Sequence, residues 1–474
     1  MLRFFQRKGP RKVFVIGLDC AEPSLLFEQW RERLPNFRRL MEKGAYGPLT
    51  SAIPCITVPA WASMLSSTDP GVLGIYGFRN RADTSYDNMV VATGQAVKQK
   101  RVWEYLGEAD KQVIIVGVPQ TYPVRPVRGN LISSFLTPSL QKQYTYPNEL
   151  RYVINRLLPG QEYDVDVRNF RTDDKDNLLQ QIYSMTEKRF KVLNYLQQEK
   201  PWDFFMFVEM GVDRIHHGFW KYSDPTHRLY QPGNKFEHAI RDYYQYIDRE
   251  VGPMLDRLDD DTVVLVVSDH GAKRMDGGFC LNEWLLREGY LTFKGEVPRD
   301  GALTPFENME VDWSKTKAWG AGGYYGRLFL NVEGREPQGI IPQSDYDRVR
   351  AEIADKLSAE LDHEGKPLHN ICYLPEQIYA QVNNIAPDLI IYFGDLHWRS
   401  VGTMGHKSVY TFENDTGPDD ANHAQQGLMI YYDPRKNLAG QAIEGAQLMD
   451  IAPTILKTMG QSIPNHMQGK VINL

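Results

Sequence analysis

Six short apolar runs rich in valine, isoleucine and phenylalanine constrain the fold of this chain more than any other feature. They are VFVIGLD (13–19), VIIVGVP (113–119), DFFMFVEMGVD (203–213), TVVLVVSDHG (262–271), DLIIYFGD (388–395) and GLMIYYDP (427–434). Continuous rather than alternating apolarity is typical of strands that are buried on both faces. Amphipathic helical patterns such as FEHAIRDYYQYIDREVGPMLDRL (236–258) lie between the runs. This alternation predicts an α/β fold with a doubly wound, mostly parallel sheet flanked by helices.

The alternation of apolar runs and helical patterns changes between about residues 290 and 385. GGYYGRLFLNVEGREPQG (322–339) is typical of a strand hairpin with turns, and SDYDRVRAEIADKLSAELD (344–362) is a highly charged helical pattern. We therefore expect a small inserted cap subdomain over 291–385, and a core made of 1–290 and 386–474. Length alone leaves the number of domains open, because 474 residues suffice for two or three average domains or one large α/β domain.

Composition excludes several classes of protein. The chain is 42% hydrophobic and 24% charged with a net charge of −6, and it has no basic block that would attract a nucleic acid polymer or a membrane surface. After the basic segment MLRFFQRKGPRK, the first apolar run is too short and too acidic for a secretory signal. No window approaches the roughly 18 apolar residues of a membrane helix.

The cysteines indicate the compartment. Cys20, Cys55, Cys280 and Cys372 are spaced at long, unpatterned intervals, which fits reduced thiols better than a disulfide framework. We therefore expect a cytoplasmic protein, and the sequence leaves its oligomeric state open.

Three of the apolar runs end in aspartates, which are Asp19, Asp213 and Asp269. In open α/β sheets, ligands bind at the carboxyl edge of the strands, where loops leave the sheet and helix N-termini point outward. Carboxylates that are distant in sequence can therefore meet at this edge.

Two of these aspartates have a histidine close by in sequence. Asp213 and His217 are four residues apart, so on a helix both project from one face and could share a metal ion, although such pairs are more often solvated. Asp269 and His270 are adjacent, and in the turn before Gly271 both could bend toward one ion. The alternative for Asp269 is an ordinary helix N-cap.

The long loop before the last apolar run offers a third histidine. His423 lies shortly before the strand, and His406 in GTMGHKS is a second candidate. Asp415, Asp419 and Asp420 could also bind a metal, but a loop this acidic is more often solvated surface. Three aspartates and three histidines are the ligand inventory for two closely spaced divalent cations, which can activate an attacking oxygen and stabilise a phosphoryl group in transfer.

The stretch IPCITVPAWASM (53–64) offers three potential nucleophiles, Cys55, Thr57 and Ser63. Intrinsic reactivity favours the cysteine. A metal-bound hydroxyl, however, is deprotonated near neutral pH because the ion stabilises the alkoxide, so metal ions nearby favour Thr57.

These motifs occur in the order found in the alkaline phosphatase superfamily. They are VFVIGLD, IPCITVPAWASMLSSTDPGVLGIYGF, the Asp-x-x-x-His pair, VVSDHG, ANHAQQG and LMDIAPTILKTMGQSIPNHMQGK (448–470). The chain most resembles the type I phosphodiesterase/nucleotide pyrophosphatase group and its phosphohydrolase or phosphomutase relatives. The resemblance spans nearly the whole chain, is weakest across 290–385, and implies the alkaline phosphatase-like form of the α/β fold.

The resemblance also implies a site with two divalent metal ions. The expected ligands are Asp19, Thr57, Asp269 and His270 for one ion, and Asp213, His217 and His423 for the other. Thr57 would attack phosphorus and form a covalent phospho-threonine or phosphodiester intermediate that water then hydrolyses. The family usually carries zinc, and its mutase branch prefers manganese; mixed Asp/His ligation tolerates either ion, so we expect zinc first and manganese as the alternative.

One position departs from the family pattern. Nucleotide pyrophosphatases commonly present an asparagine in the loop after the nucleophile helix, but GIYGFRNRADTSYDN (74–88) places Phe78 there. Arg79, Asn80 or Arg81 could substitute, and an arginine would favour a doubly charged monoester through bidentate contacts. The alternative is that both arginines are solvated loop residues. We expect Arg79, Asn80 and His406 to bind substrate.

The expected function is a metal-dependent phosphoester hydrolase, either a phosphodiesterase or a phosphomonoesterase, acting on a small-molecule phosphoester. The alternative is a phosphomutase or phosphotransferase, which would use the same metals and hold the acceptor in the inserted subdomain. A sulfatase is disfavoured because CITVP (55–59) has its proline in the wrong place for the C/S-x-P-x-R signature and lacks the arginine. The complete ligand set with its nucleophile argues against a non-catalytic binding module.

Overall fold

A computed structural model describes residues 11–297 and 303–474, so most of the basic N-terminal segment and a short part of the predicted insertion lie outside the described residues. Within these ranges, nine strands form a central sheet. In chain order they are β1 Lys12–Leu18, β2 Ala45–Thr50, β3 Val113–Val116, β4 Gly129–Ile132, β5 Thr145–Tyr146, β6 Phe204–Glu209, β7 Thr262–Val267, β8 Gln426–Tyr432 and β9 Gln441–Ala442. Their spatial order is β9-β2-β8-β7-β1-β6-β3-β4-β5.

The central sheet is mostly parallel, as predicted. The five consecutive strands β7, β1, β6, β3 and β4 all run in one direction. Strand β8 is antiparallel to both of its neighbours, and β5 is antiparallel to β4. Five of the six apolar runs form strands of this sheet.

Both faces of the sheet are covered by helices. In β1, Phe14 and Ile16 face one hydrophobic core, whereas Val13 and Val15 face the other, and all four are fully buried. Burial on both faces explains why the strands are apolar without alternation. The first face carries helices Pro35–Lys43, Leu150–Leu157, Lys175–Glu199, Gly211–Ser223 and Ala239–Asp256, and the second carries Thr57–Ser66, Val102–Glu108 and Ile451–Thr458.

A second, antiparallel sheet lies outside the central one. Its four strands, in spatial order, are Ala318–Ala321, Gly326–Leu330, Leu389–Tyr392 and Ile371–Tyr373. The run DLIIYFGD therefore belongs to this smaller sheet rather than to the central one. Helices Leu281–Arg287 and Tyr346–Ser358 share its hydrophobic core, which also contains residues on both sides of 291–385. The boundaries of the inserted subdomain stay a prediction.

Short two-stranded ribbons lie outside these two sheets. Gly271–Arg274 pairs antiparallel with Ala421–Ala424, with Ala272 opposite His423. Arg79–Arg81 pairs with Met89–Val91. In the described part of the chain, none of the helices is both long enough and apolar enough to cross a bilayer.

Candidate active site

The three strand-end aspartates meet at one edge of the central sheet. Strands β7, β1 and β6 are adjacent and parallel, so their carboxyl ends lie side by side. Asp19 follows β1 directly, Asp269 lies two residues after β7, and Asp213 lies in the first turn of the helix after β6. All three are at most 2% exposed. The topology thus brings together carboxylates separated by up to 250 positions, as the strand-end pattern predicted.

Asp19, Asp269 and His270 form one cluster of potential metal ligands. Their ligand atoms all lie within 4.8 Å of one another. The Nε2 atom of His270 is 3.1 Å from Oδ2 of Asp269 and 3.4 Å from Oγ1 of Thr57. Trp61 donates its indole N–H to Oδ2 of Asp19 over 2.7 Å, which orients that carboxylate. Oδ1 of Asp19 and Oδ2 of Asp269 are buried and accept no hydrogen bond from the residues that the structure describes.

Asp213, His217 and His423 form a second cluster, which also includes the thiol of Cys20. The helix Gly211–Ser223 places Asp213 and His217 one turn apart, so Oδ1 of Asp213 lies 3.2 Å from Nε2 of His217. The Nε2 atom of His423 is 3.3 Å from Nε2 of His217 and 3.9 Å from Oδ1 of Asp213. The four ligand atoms lie within 4.8 Å of one another.

The hydrogen bonds of two histidines fix which ring nitrogen carries the proton. Nδ1 of His270 lies 3.1 Å from the carbonyl oxygen of Gly271, and Nδ1 of His423 lies 3.0 Å from that of Cys55. A carbonyl oxygen only accepts, so Nδ1 must donate in both rings. In the neutral imidazole, Nε2 then presents a lone pair to the cluster, as in a metal-ligating histidine whose other nitrogen is held by an oxygen.

Burial and the neighbouring charges shift the pKa values of the clustered carboxylates. Burial, followed by the nearby Asp269 and Asp213, raises the pKa of Asp19 well above its ordinary value. For Asp213, burial opposes ionisation, but the neighbouring His217 and Arg214 outweigh it and hold the pKa well below the ordinary range. Packed carboxylates of this kind require positive charge nearby.

The same burial and neighbouring charges shift the pKa values of the three histidines. Burial lowers the pKa of His217, but Asp419 and Asp213 outweigh it and raise the value to about 9. For His270, burial is likewise outweighed by Asp269, and the pKa is about 9. Burial and the two neighbouring rings hold the pKa of His423 well below its ordinary value. Protons or metal cations must therefore balance the negative charge of the carboxylates in the site.

The stretch IPCITVPAWASM presents one hydroxyl to this centre. The helix Thr57–Ser66 begins at Thr57, which lies next to His270. The side chain of Ser63 is completely buried inside the helix, and burial raises the pKa of the Cys55 thiol to about 12. The loop before Thr57 is fixed by the smaller sheet, because the backbone N–H of Cys55 donates to the hydroxyl of Tyr392 over 2.9 Å.

A cavity of about 730 Å³ opens over the centre and is rich in arginine. Its lining includes Thr57, Asp213, His217 and His423, together with the arginines Arg79, Arg171, Arg214, Arg327 and Arg399. Three of these arginines pair with carboxylates, namely Arg171 with Asp419, Arg214 with Asp213 and Asp166, and Arg399 with Asp415.

Arg79 and Arg327 differ from the other three. Within residues 11–297 and 303–474, neither side chain makes an ion pair with a carboxylate. Arg327 donates to backbone carbonyl oxygens, one of them that of Arg79. The cavity therefore has two cationic groups whose charge is not balanced by a carboxylate of the described chain.

The residues predicted to bind substrate are placed differently. Phe78 and Arg79 both line the cavity. Asn80 does not, because its side chain accepts from the N–H of Tyr76 over 2.7 Å and donates to the carbonyl of Gly77 over 2.9 Å. Arg81 is buried against Glu336 at 3.1 Å. His406 also lies outside the lining of the cavity, with Nε2 2.8 Å from Oγ1 of Thr403.

Sequence reasoning did not anticipate the residues that orient the ligands. Oδ1 of Asp419 lies 2.7 Å from Nδ1 of His217, and its Oδ2 accepts from Tyr324 at 2.7 Å and from Arg171 at 2.9 Å. Trp61 plays the same part for Asp19. These partners come from separate elements and carry no spacing signal, so only the tertiary structure reveals them.

Comparison with known proteins assigns the family. The family model of type I phosphodiesterase/nucleotide pyrophosphatase matches residues 13–419. The chain belongs to this family. As a type I phosphodiesterase/nucleotide pyrophosphatase family member, it is a phosphoester hydrolase by class.

Solved structures share the fold of this phosphodiesterase family member. Phosphonoacetate hydrolase from Sinorhizobium meliloti 1021, in complex with phosphonoformate, has a TM-score of 0.60 at 14% identity, over 95% of this chain and 96% of that one. Human ectonucleotide pyrophosphatase/phosphodiesterase 5 has a TM-score of 0.53 at 13% identity, over 97% of both chains. An inactive threonine-to-alanine variant of the murine protein, in complex with AMP, has a TM-score of 0.53 at 12% identity, over 96% of both chains.

A curated relative matches a shorter part of the sequence. The 2,3-bisphosphoglycerate-independent phosphoglycerate mutase of Salmonella typhi is 31% identical over 96 residues. The match spans 20% of this phosphodiesterase family member and 16% of the mutase.

Proposed function

We propose that this protein hydrolyses small-molecule phosphoesters, with Thr57 as nucleophile and two divalent metal ions bound beside it. The observation that carries the proposal is the arrangement of buried acceptors around Thr57. Among the described residues, no donor reaches Oδ1 of Asp19, and Oδ2 of Asp269 has only Nε2 of His270 beside it, at 3.1 Å. Burying such atoms is unfavourable unless a donor or a cation compensates. The residues present therefore fit a cation.

The two clusters would hold one ion each. Asp19, Thr57, Asp269 and His270 would bind the first, and Asp213, His217 and His423 would bind the second. When bound, the ions would lower the pKa of the Thr57 hydroxyl and stabilise negative charge on the phosphoryl oxygens. Asp419 and Trp61 would hold their partners His217 and Asp19 in the orientation that binding needs.

The reaction would proceed in two displacements. The Thr57 oxygen bonds to phosphorus as the bond from phosphorus to the leaving oxygen breaks. The hydroxyl proton passes to solvent, and the leaving oxygen takes up a proton from solvent as the alcohol departs. Water then attacks the phosphorus of the phospho-threonine, which releases the product and restores the hydroxyl. The inactive threonine-to-alanine variant of the murine relative supports a threonine in this role.

The unbalanced arginines would select the substrate. Arg79 and Arg327 line the cavity without carboxylate partners from the described chain, so an anionic substrate would neutralise their positive charge. We therefore propose Arg79 as a substrate-binding residue and favour a doubly charged monoester over a diester. Asn80 and His406 are left out of the proposed site because neither lines the cavity.

We also propose which metal the protein binds and where in the cell it is located. Zinc is the first candidate metal and manganese the second. A cytoplasmic location is supported by the four cysteines, none of which forms a disulfide in the described chain.

A paired assay tests the function. The metal-free protein is reconstituted with zinc or manganese and given a chromogenic phosphomonoester and the matching diester of the same alcohol. Turnover of the monoester above the diester supports the proposal, whereas a preference for the diester would overturn the monoester assignment. Absence of turnover of either ester, with metal bound, would overturn the hydrolase itself.

A phosphomutase or phosphotransferase is the second candidate, supported by the partial likeness to the phosphoglycerate mutase. The same assay, repeated with added small alcohols, separates the two. With the monoester as substrate, a transferase forms a new phosphoester in proportion to the acceptor, whereas a hydrolase gives inorganic phosphate throughout.

A further inference from the structure

Cys20 has an unusual backbone conformation at the edge of the central sheet. It follows Asp19 with φ of +64°, in the left-handed region that favours glycine. Its N–H donates to Oδ1 of Asp269 over 3.1 Å, and its side chain is completely buried. A side chain at Cβ crowds the backbone in this conformation, and such conformations cluster at functional sites.

The conformation places the thiol inside the second ligand cluster. Sγ lies within 4.8 Å of the ligand atoms of Asp213, His217 and His423. Its one hydrogen bond in the described structure is to the carbonyl oxygen of Gly271, at 3.4 Å, and a thiol is a weak donor. The hydrogen bond to Gly271 therefore holds the sulfur only weakly, and an ion bound in the cluster would be its main partner.

The rest of the cluster points to a cation independently of the cysteine. Nε2 of His423 carries a lone pair, because its Nδ1 donates to Cys55. This lone pair faces Nε2 of His217 at 3.3 Å and Oδ1 of Asp213 at 3.9 Å. Nδ1 of His217 lies 2.7 Å from Asp419, so in the neutral ring its Nε2 also turns a lone pair toward these atoms. Two nitrogens and one oxygen that converge in this way in a buried space need a shared positive centre, either a proton or a metal cation.

We propose that the Cys20 thiolate is the fourth protein ligand of the metal held by Asp213, His217 and His423, and that this site selects zinc over manganese. The inference rests on the proposed two-metal function. As the metal–sulfur bond forms, the thiol proton is released to solvent, as happens generally when cysteine binds zinc. One thiolate and one carboxylate then balance the two charges of the ion.

The ligand types explain the selectivity. Soft thiolate favours zinc, whereas carboxylate and hydroxyl oxygens also suit manganese. Sulfur, two nitrogens and one oxygen would surround the second ion, but the first cluster offers three oxygens and one nitrogen. The two sites would therefore differ in metal preference. A set of four protein ligands suits tetrahedral zinc, and a substrate oxygen would enter as a fifth ligand.

Cobalt(II) reports a sulfur ligand directly. The full-length protein is freed of metal, reconstituted with cobalt(II), and its absorption recorded in the near-ultraviolet, where bound thiolate gives a charge-transfer band. We expect the band in the wild type and its loss in Cys20→Gly, a variant that suits the left-handed backbone and therefore keeps the fold. Cys280→Ser is the matched control, because Cys280 is equally buried but directly precedes the helix Leu281–Arg287 and belongs to neither ligand cluster.

Competition between metals provides the second measurement. We expect Cys20→Gly to weaken zinc binding at one of two sites by more than the roughly 10–100-fold that loss of an outer-shell partner costs, with a smaller effect on manganese. No band in the cobalt-loaded wild type, or a band that persists in Cys20→Gly, would overturn the assignment. Neither readout requires turnover, so failure of the hydrolase proposal would show separately, as absent activity with the band intact.

Discussion

Nδ1 of His423 lies 3.0 Å from the backbone carbonyl oxygen of Cys55, two residues before Thr57. This bond joins a histidine of the second ligand cluster to the loop that presents the nucleophile. The ring of His423 also stacks on that of His270, with centroids 3.9 Å apart, so the two clusters and the nucleophile loop form one packed unit.

Comparison of two histidine variants tests this arrangement. His423→Ala should remove most of one metal ion per chain, because it deletes a ligand, whereas His406→Ala should leave the metal content unchanged. Metal analysis after dialysis against a weak chelator measures both. Equal loss of metal in the two variants would contradict the placement of His423.

Thr57→Ala separates the nucleophile from metal binding. We expect kcat to fall by at least about 10³-fold, since loss of a nucleophile removes the covalent route. Most of the metal should remain, because the side chains of Asp19, Asp269 and His270 are intact. Ser63→Ala is the control, as Ser63 is buried in the same helix away from the cavity, and it should keep near wild-type rates. Near wild-type kcat in Thr57→Ala would refute its role.

Arg79→Met should reduce selectivity for the monoester. A hydrogen bond to a charged group contributes about 1.5–3 kcal/mol, so kcat/KM for the monoester should fall by roughly 10–100-fold, and that for the diester by less. The two esters of one alcohol, assayed in parallel, measure the ratio. Arg168→Met is the control, because Arg168 is 83% exposed and does not line the cavity. An equal loss for both esters would indicate a role in the fold instead.

The buried pair of Arg189 and Glu209 should be essential for stability. Nη1 of Arg189 lies 3.2 Å from Oε1 of Glu209, and both side chains are at most 1% exposed. Glu209→Gln leaves the arginine charge buried without its counter-charge, which should cost about 3–5 kcal/mol in the free energy of unfolding. Glu187→Gln breaks an exposed pair with Lys191 and should cost less than about 1 kcal/mol. Urea unfolding measures both, and similar losses would contradict the burial argument.

His227 should contribute to acid sensitivity. Burial, followed by the charge of Arg228, lowers its pKa from 6.5 to about 4. The imidazole of His227 therefore binds a proton more tightly in the unfolded chain than in the folded one. The stability that the neutral ring contributes is fully present above pH 6.5 and is lost as the pH falls through about 4. His227→Asn should lose less stability than the wild type over this interval, by about 1–2 kcal/mol after allowance for solvent screening.

Unfolding in urea at pH 7 and near pH 4 gives the difference. His363→Asn serves as the control because that histidine is exposed, and it should follow the wild type. If His227→Asn also followed the wild type, the buried imidazole would have no part in acid unfolding.

The continuous apolar runs were sufficient to predict the central sheet, because strands buried on both faces leave that signature. They were not sufficient to assign DLIIYFGD to its sheet, since a strand in a second hydrophobic core has the same composition. The convergence of Asp19, Asp213 and Asp269 could be predicted from their positions at the carboxyl ends of strands in a mostly parallel sheet. Their roles as metal ligands stay predictions.

The residues around the ligands were less accessible to sequence reasoning. The acidic loop favoured a solvated position for Asp419, yet its side chain is buried against His217. Asn80 looked like a phosphate ligand, but its amide closes a local turn. In both cases a short polar side chain has several possible partners, and long-range packing decides among them.

The ribbon between Gly271–Arg274 and Ala421–Ala424 also bears on how the protein can change over evolution. All of the chain between these two strands, including the smaller sheet, leaves the centre on one strand and returns on the other. A slip of one residue in their register would turn His423 to the opposite face, so this short ladder tolerates no insertion. Between the two strands, the parts that contact the site are also constrained, namely Tyr392 against the nucleophile loop and Asp419 against His217. The rest of that segment can change in length or sequence without moving His423, so substrate choice can diverge while the reaction is kept.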